Sequence, residues 1–392
     1  MNSENFARVK LQGQAHSGEV VRAIAFHLSQ FHPIPENDEW WGKGFTEWTN
    51  VAKAKPKFPG HYQPHLPADL GFYDLRLPEA RAAQAELAAE YGIHGFCYYH
   101  YWFKGRRLLG RPIDEILRTG RPDFPFCLCW ANESWTRRWL GEERDVLIPQ
   151  TYDERDDLDH CQWLAKAFAD RRYLRVGGRP VFLIYRPGNL PEPKRLTDTL
   201  RDVCTENGDK NPYLIGVDAH QPGRDFRSDG FDTTLEFAPQ LGVLPAAFYD
   251  EFSLGRLQRN LRLRVLSGNL KVYDYEDARQ RMTSYVRPFP TVPSVFVGWD
   301  NTPRRGKDGI IIVNSSPQAF GRALETAVSK LRTSGDEEPL LFINAWNEWA
   351  EGNHLEPCQK WGRGYLEAAR KALRTSANCH LEHVSHQSRV RL

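Results

Sequence analysis

Two glutamates near the end of the chain, Glu348 and Glu351, have the type and spacing that cleavage of a sugar bond requires. They lie three residues apart, shortly after the apolar run Leu340–Ile343. If the chain turns helical after Trp346, both carboxylates lie on one face and can address a single bond. Two nearby carboxylates in unlike surroundings can hold one proton and one charge, as glycosidic chemistry needs. We therefore take Glu348 and Glu351 as the candidate catalytic residues.

A plainer interpretation of this pair is a solvated helix start, where the helix dipole favours acidic residues. The neighbouring amides Asn344 and Asn347 and the indoles of Trp346 and Trp349 favour the catalytic interpretation. Aromatic rings and amides are the groups that hold a sugar in place.

Two other glutamates remain open as alternative catalytic residues. Glu133 completes the dipeptide Asn132-Glu133 after an apolar run, a form that many retaining glycosidases place at the end of a barrel strand for the proton donor. Glu236 lies within a less certain apolar run. A partnership of Glu133 with Glu348 across a barrel is therefore an alternative. Glu133 and Glu236 could each instead hydrogen-bond a loop to a strand end.

Aromatic and polar side chains that follow the apolar runs are the candidate substrate-binding groups. The chain has twelve Trp and fifteen Tyr, and flat aromatic faces stack on sugar rings. The candidates are His32, Trp40, Trp41, Glu47, Trp48, Tyr99, His100, Trp102, Trp130, Asn132, Trp135, Asp218, His220, Trp299, Asn344, Trp346, Trp349 and Glu356. For any single aromatic ring among them, packing in the core is the simpler interpretation. The histidines lack HExxH spacing and the seven cysteines lack CxxC spacing, so we predict no metal and no cofactor.

Eight apolar runs separated by helical patterns predict a single-domain α/β fold, the (β/α)8 TIM barrel, with long loops after its strands. Polar or aromatic residues follow nearly every run, at the strand ends where barrel enzymes assemble their sites. The expected strands are Val21–Leu28, Ile93–Trp102, Phe126–Trp130, Pro180–Pro187, Tyr213–His220, Phe231–Pro239, Thr291–Asn301 and Leu340–Asn344. The expected helices are Leu77–Tyr91, Ile113–Leu117, Asp153–Arg172, Leu196–Glu206, Tyr275–Tyr285, Gln318–Arg332 and Trp361–Arg374, and Asn37–Pro67 is expected as the longest loop.

Composition excludes several classes of function. A net charge of +2 with both signs mixed along the chain argues against a nucleic-acid partner, and no GxGxxG or P-loop opens a helix. Residues 1–20 carry no apolar signal segment and no run approaches eighteen apolar residues, so we expect a cytoplasmic protein without a transmembrane segment. We expect a flexible arm over residues 1–20, the barrel over 21–375 and a polar tail over 376–392. The sequence leaves the oligomeric state open.

Four long motifs resemble the WbsX family of bacterial surface-polysaccharide loci. They are Phe31–Val51, Gly95–Phe103, Cys129–Trp135 and Trp346–Pro357. That family is often labelled glycosyltransferase and is also described as a glycoside hydrolase family 99-like domain. The resemblance extends over Val21–Leu373, nearly the whole chain.

The segment Asn347–Gly352 also resembles the Asn-Glu-Trp-His-Glu-Gly motif of glycoside hydrolase family 99, with Ala350 in place of His. That more distant family contains endo-α-mannosidases and endo-α-mannanases built on a (β/α)8 barrel. Its first Glu is assigned as the base on the sugar 2-hydroxyl, giving a 1,2-anhydro intermediate, and its second as acid and then base at the glycosidic oxygen. The resemblance implies these roles for Glu348 and Glu351, with retention at the anomeric carbon and no metal.

These observations predict a retaining, endo-α-mannosidase-like glycoside hydrolase. Its expected partner is an α-linked oligosaccharide or polysaccharide of mannan, rhamnan or O-antigen type. A glycosyltransferase of O-antigen, lipopolysaccharide or capsule biosynthesis is the alternative, although the chain has no legible Rossmann-type site. A non-catalytic glycan-binding barrel is the second alternative, against which the intact glutamate pair argues.

Overall fold

The structure is a computed structural model that describes residues 20–137, 142–219, 221–245, 247, 270–285 and 287–374. Eight parallel strands follow one another around a barrel, and the first strand pairs with both the second and the eighth, which closes it. The strands are β1 Arg22–His27, β2 Gly95–Phe103, β3 Phe126–Trp130, β4 Arg179–Ile184, β5 Tyr213–Val217, β6 Thr233–Glu236, β7 Thr291–Phe296 and β8 Leu340–Asn344. The predicted (β/α)8 barrel is confirmed.

The barrel strands are nearly continuous apolar runs because helices cover their outer face and side chains fill the interior. Every residue of β3 and of β8 is buried, and both strands have the predicted bounds. The predicted seventh strand, Thr291–Asn301, was too long, since β7 ends at Phe296. Directly after β7, the side chain of Asn353 accepts hydrogen bonds from the backbone N–H groups of Val297 and Gly298. The next segment, Trp299–Asp300, pairs antiparallel with Ile310–Val313 in a separate sheet.

Helices lie between the strands and in the loops. They are α1 Pro35–Trp41, α2 Glu47–Lys53, α3 Pro78–Glu90, α4 Arg111–Thr119, α5 Glu154–Phe168, α6 Pro193–Glu206, α7 Tyr275–Ser284, α8 Thr302–Arg305, α9 Pro317–Arg332 and α10 Gly364–Arg374. The prediction of an unbroken loop over Asn37–Pro67 was wrong, because α2 and most of α1 lie in it. Pro35 suits the first turn of α1, and Thr46 and Thr49 form a reciprocal cap at the start of α2.

Several expectations fall outside the part of the chain that the structure describes. They are the arm up to residue 19, the tail from residue 375 and His220. Among the described helices, none is both long and apolar enough to cross a membrane.

Close packing at the start of β2 predicts that Gly95→Ala is destabilising. A Cβ at position 95 would lie 2.7 Å from the backbone oxygen of Pro125, so a barrel strand would have to shift. We expect a loss of about 1–3 kcal/mol in the free energy of unfolding, measured by urea denaturation. Gly321→Ala is the matched control. A Cβ at position 321 would meet the Cβ of Ala368 at 3.4 Å, and the alanine would replace a glycine inside a helix. Equal stability of the Gly95→Ala variant and the wild type would contradict this account.

Candidate active site

A cavity of about 380 Å³ lies at the C-terminal end of the barrel. Its lining comes from the loops that follow most of the strands, as is general for enzymes of this fold. Among the predicted site residues, the lining includes Glu348, Glu351, Glu133, Trp40, Trp41, Tyr99, Trp135, Trp299 and Asn344. The structure therefore brings the proposed glutamate pair together with five of the predicted aromatic residues.

The guanidinium of Arg304 joins two glutamates of this cavity, Glu348 and Glu351, to the buried Glu47. Its Nη1 donates to Oε1 of Glu351 at 2.6 Å and its Nη2 donates to Oε2 of Glu348 at 2.9 Å. Its Nε donates to Oε1 of Glu47 at 2.7 Å. Since Glu348 and Glu351 bind the two terminal nitrogens of one guanidinium, their carboxyl groups lie side by side.

One positive charge cannot offset three buried negative charges. Burial raises the pKa of Glu348 to about 8, and the charges of Glu351 and Glu47 add to this effect while Arg304 opposes it. Burial likewise raises the pKa of Glu351 against the influence of Arg304. Burial also disfavours the charge of Arg304, but the carboxylates outweigh it and hold the pKa of the guanidinium well above its usual range. At neutral pH the free cavity therefore holds at least one protonated carboxyl group.

Glu348 is fixed by the residue before it. The amide of Asn347 accepts a hydrogen bond from the N–H of Leu28 at 2.7 Å and donates to the carbonyl of Leu28 at 3.1 Å. Asn347 thus takes the place of a backbone partner at the end of β1. The chain then forms a 3-10 turn over Trp349–Glu351, whose three-residue repeat returns Glu351 to the side of Glu348. The helical turn considered directly after Trp346 thus begins only at Trp349, because Asn347–Glu348 pair with Asn353–His354 as short strands.

The dipeptide Asn132-Glu133 repeats the same arrangement after β3. The amide of Asn132 accepts from the N–H of Arg186 at 2.8 Å and donates to the carbonyl of Arg186 at 2.9 Å. The Arg186 side chain forms an ion pair with Glu133. Asn132 is therefore a structural link that aims Glu133 at the cavity, while Glu133 is held by its own arginine.

Three predicted site residues do not line the cavity but pack around the turn that carries Glu351. They are Trp48, Trp349 and Glu356. The buried carboxylate of Glu356 accepts hydrogen bonds from Trp349 Nε1 at 2.6 Å, Gln84 Nε2 at 2.7 Å and Tyr73 Oη at 2.9 Å. Burial raises its pKa to about 7 despite these donors. These contacts fix the turn that carries Glu351.

The alternation of side chains along β2 separates its predicted site residues into two groups. Tyr99 lines the cavity, as does the unpredicted Tyr101, whereas His100 and Trp102 point to the opposite side and contact His160 of α5. Trp130 is buried in the same region, where its Nε1 donates to the carbonyl of Trp102. His100, Trp102 and Trp130 thus lie between strands and helix, away from the cavity.

The remaining predicted residues also lie away from the cavity. Trp346 is fully buried in the core, and His32 is buried, with a pKa that burial lowers to about 4. Asp218 accepts hydrogen bonds from Arg287 at 2.8 Å and from Gly223 at 3.0 Å. Glu236 contacts Arg287 as well, at 3.3 Å, beside a different cavity.

Sequence reasoning missed Arg304, which organises the site. The cavity lining it also missed includes Gln30, Asn37, Tyr101, Tyr185 and Phe237. Arg304 lies three residues after Asn301, beyond the seventh apolar run, but this position does not identify its carboxylate partners. Ala350, where family 99 has His, is fully buried in an apolar cluster with Trp48 and Trp349.

A closed parallel barrel with paired carboxylates and tryptophans at its C-terminal end has the architecture of carbohydrate-active barrel proteins. The chain matches the model of the family described as "Glycosyltransferase WbsX" over residues 23–369, and it belongs to that family. The earlier recognition of WbsX motifs is thereby confirmed. A glycosyltransferase acts on carbohydrates, so this description makes WbsX a family of carbohydrate-active enzymes.

Relatives and solved structures agree with this assignment. The chain is 44% identical over 354 residues to the uncharacterized protein WxcX of Xanthomonas campestris pv. campestris, strain B100, covering 89% of this chain and 49% of WxcX. WxcX of strain ATCC 33913 gives the same identity and coverage. The chain thus spans about half the length of these curated relatives.

The barrel is similar to that of a GH99 endo-α-mannosidase from Bacteroides thetaiotaomicron. The TM-score is 0.52 at 14% identity, over 92% of this chain and 98% of the mannosidase. A glycoside hydrolase-like protein gives a TM-score of 0.54 at 13% identity, over 92% and 95% of the two chains. At such low identity these similarities establish the shared fold.

The shared guanidinium predicts that Arg304→Gln is strongly destabilising. Without Arg304, Glu348 and Glu351 lose the cation that opposes the rise of their pKa values, so the loss should be small at pH 5 and reach about 3–5 kcal/mol at pH 8. Urea denaturation at the two pH values measures it. Arg363→Gln removes a half-exposed ion pair with Asp69 and should cost less than about 1 kcal/mol at either pH. An equal loss in both variants would contradict the central role of Arg304.

The raised pKa of Glu348 predicts a specific pH dependence of stability. Its pKa rises from 4.5 to about 8 on folding, so the folded state keeps a proton that the unfolded state releases as the pH rises between these values. The contribution of Glu348 to stability is therefore lost progressively over this range. Glu348→Gln removes the titration, and its stability relative to the wild type should increase by about 3 kcal/mol between pH 5 and pH 8. Parallel pH profiles of the two proteins would show that Glu348 ionises normally.

Proposed function

We propose that the chain is a retaining glycoside hydrolase that cleaves α-linked bonds of a bacterial surface polysaccharide, with Glu348 and Glu351 as its catalytic residues. The observation that carries the proposal is the placement of these two carboxyl groups side by side on the guanidinium of Arg304, inside a cavity at the catalytic end of the barrel. The family resemblance supports the substrate class, and the GH99 endo-α-mannosidase shares the fold.

In the first step, Glu348 takes the proton of the sugar 2-hydroxyl, whose oxygen attacks the anomeric carbon and closes a 1,2-anhydro ring. Glu351 gives its proton to the departing glycosidic oxygen. In the second step, the Glu351 carboxylate takes a proton from water, which attacks the anomeric carbon, while Glu348 returns its proton to the 2-oxygen. Two inversions at the anomeric carbon give net retention.

The electrostatics of the cavity suit both roles. Burial raises the pKa of Glu351, which favours the protonated form that the acid of the first step needs. Glu348 acts as the base only in its ionised form, which its pKa of about 8 makes the minor form at neutral pH. Once ionised, this carboxylate is a stronger base than an ordinary glutamate. Arg304 holds both groups in place and offsets the charge that remains.

The tryptophans of the lining give the cavity its affinity for sugars. Trp40 and Trp135 contact each other at 5.9 Å between ring centroids, and both line the cavity with Trp41 and Trp299. The partly exposed rings of Trp40, Trp41 and Trp135 offer apolar faces to the C–H surface of a pyranose. Asn344 and Glu133 add polar contacts for its hydroxyl groups.

A glycosyltransferase is the second candidate, because the family is described by that name. In this reaction the same carboxyl groups would act on an acceptor hydroxyl and a nucleotide-sugar donor. If the chain is a hydrolase, glycan release depends on Glu351. If it is a transferase, sugar transfer depends on Glu351.

Incubation of the purified protein with α-mannan, rhamnan and O-antigen glycans tests the proposal. We expect the wild type to release oligosaccharides, detected by mass spectrometry. Glu348→Gln and Glu351→Gln should each lower the rate by at least about 100-fold, because general acid–base catalysis is lost. The exposed Glu337→Gln is the matched control and should leave the rate unchanged.

Two outcomes would point elsewhere. Loss of activity in Glu133→Gln together with full activity in Glu351→Gln would favour the pairing of Glu133 with Glu348. No release from any glycan, but sugar transfer when nucleotide-sugar donors are added, would establish the transferase and overturn the hydrolytic mechanism.

A further inference from the structure

A second cavity, of about 400 Å³, lies beside the catalytic cavity. Trp299 lines both cavities. Glu351 lines the first and the next residue, Gly352, lines the second. Since consecutive Cα atoms lie about 3.8 Å apart, the two cavities are close neighbours.

Two histidines leave a hydrogen-bond acceptor in the second cavity. Nδ1–H of His354 donates to the backbone carbonyl of Glu356 at 3.0 Å, so Nε2 of the neutral ring is an acceptor. That nitrogen receives Nδ1–H of His65 at 3.0 Å, which fixes the His65 tautomer and leaves its Nε2 with a lone pair. Burial keeps both rings neutral, lowering the pKa of His354 to about 3 and that of His65 to about 4.

Aromatic rings and a cation complete the lining of the second cavity. Tyr62 and Trp361 are half-buried, and the Nζ of Lys360 lies 4.6 Å and 4.9 Å from their ring centroids. The ammonium group offers hydrogen-bond donors, His65 offers an acceptor and the rings offer apolar faces. Hydroxyl-rich rings with one apolar face, as in sugars, match this combination.

Trp299, which lines both cavities, has a buried hydrogen-bond donor in its side chain. The side chain of Trp299 is 8% exposed, and its Nε1–H has no hydrogen-bond partner within the described residues. A buried donor without a partner lowers the stability of the folded state, and a ligand that accepts its hydrogen bond would remove this penalty.

The approach of His65 to the catalytic turn depends on Gly352. Gly352 has φ +58°, and a Cβ there would lie 3.3 Å from Cε1 of His65 and 3.2 Å from Cβ of Asp300. The second cavity is therefore built onto the same turn that carries Glu351.

We propose that the second cavity binds a further sugar unit of the same glycan chain, so that the substrate passes over Trp299 and occupies both cavities at once. This rests on the proposed function and deepens it, because it makes the substrate a chain of several units rather than a single terminal sugar. His65 accepts from one of its hydroxyl groups, and Trp361 or Tyr62 supports its ring.

Binding measured in the Glu351→Gln background tests the second cavity independently of turnover. The probes are size-fractionated α-mannan, rhamnan and O-antigen oligosaccharides of increasing length, titrated by calorimetry. We expect affinity to rise at least about tenfold once the chain is long enough to reach beyond the first cavity. Trp361→Ala and Lys360→Gln should remove this gain while leaving the affinity for the shortest binding oligosaccharide unchanged.

Phe72→Ala, at an exposed ring outside both linings, is the matched control and should keep the gain. Lys360 is exposed, so its variant reports on binding even if Trp361→Ala proves unstable. Equal affinity for short and long chains, a gain that persists in both variants, or no binding by any chain would overturn the proposal. A gain in binding without glycan release by the wild type would instead leave the second cavity standing and reject the hydrolase.

Discussion

The site depends on the attraction between one guanidinium and three buried carboxyl groups. Arg304 comes from α8 after β7, Glu47 begins α2 after β1, and Glu348 and Glu351 follow β8. Three loops that are far apart in the chain are therefore held by one side chain. Burial makes each hydrogen bond in this group strong and makes the uncompensated charge expensive, so the protonation of the site and its geometry are set together.

Asparagine side chains supply the second level of order. Asn347 and Asn132 each bond both the N–H and the carbonyl of a residue just beyond a neighbouring strand, Leu28 and Arg186 respectively. An amide carries one donor group and one acceptor, so it can imitate a backbone partner where the strand ladder has ended. Each asparagine thereby fixes the direction of the glutamate that follows it. The same local device thus serves both the proposed catalytic pair and the rival Glu133.

The barrel and the glutamate pair were predictable from sequence because their signals are local. β3 and β8 are uninterrupted apolar runs, and Glu348 and Glu351 lie within one turn of each other. Arg304 was not predictable, since its partners lie 44 to 257 residues away and α8 is too short to show a periodic pattern. Side chains alternate along β2, so His100 and Trp102 lie on one face of the strand and Tyr99 and Tyr101 lie on the other. Which of the two faces points to the cavity depends on the register of the closed barrel.

The imbalance of charge around Arg304 has a consequence for which molecules can enter. Across the described lining of the catalytic cavity, Glu348, Glu351 and Glu133 contribute acidic groups, whereas the guanidinium of Arg304 is already shared by three carboxyl groups. The guanidinium of Arg186 is likewise paired with Glu133. A phosphorylated compound would have to displace a carboxylate from one of these two cations to gain a counter-charge, whereas an uncharged pyranose needs no such exchange.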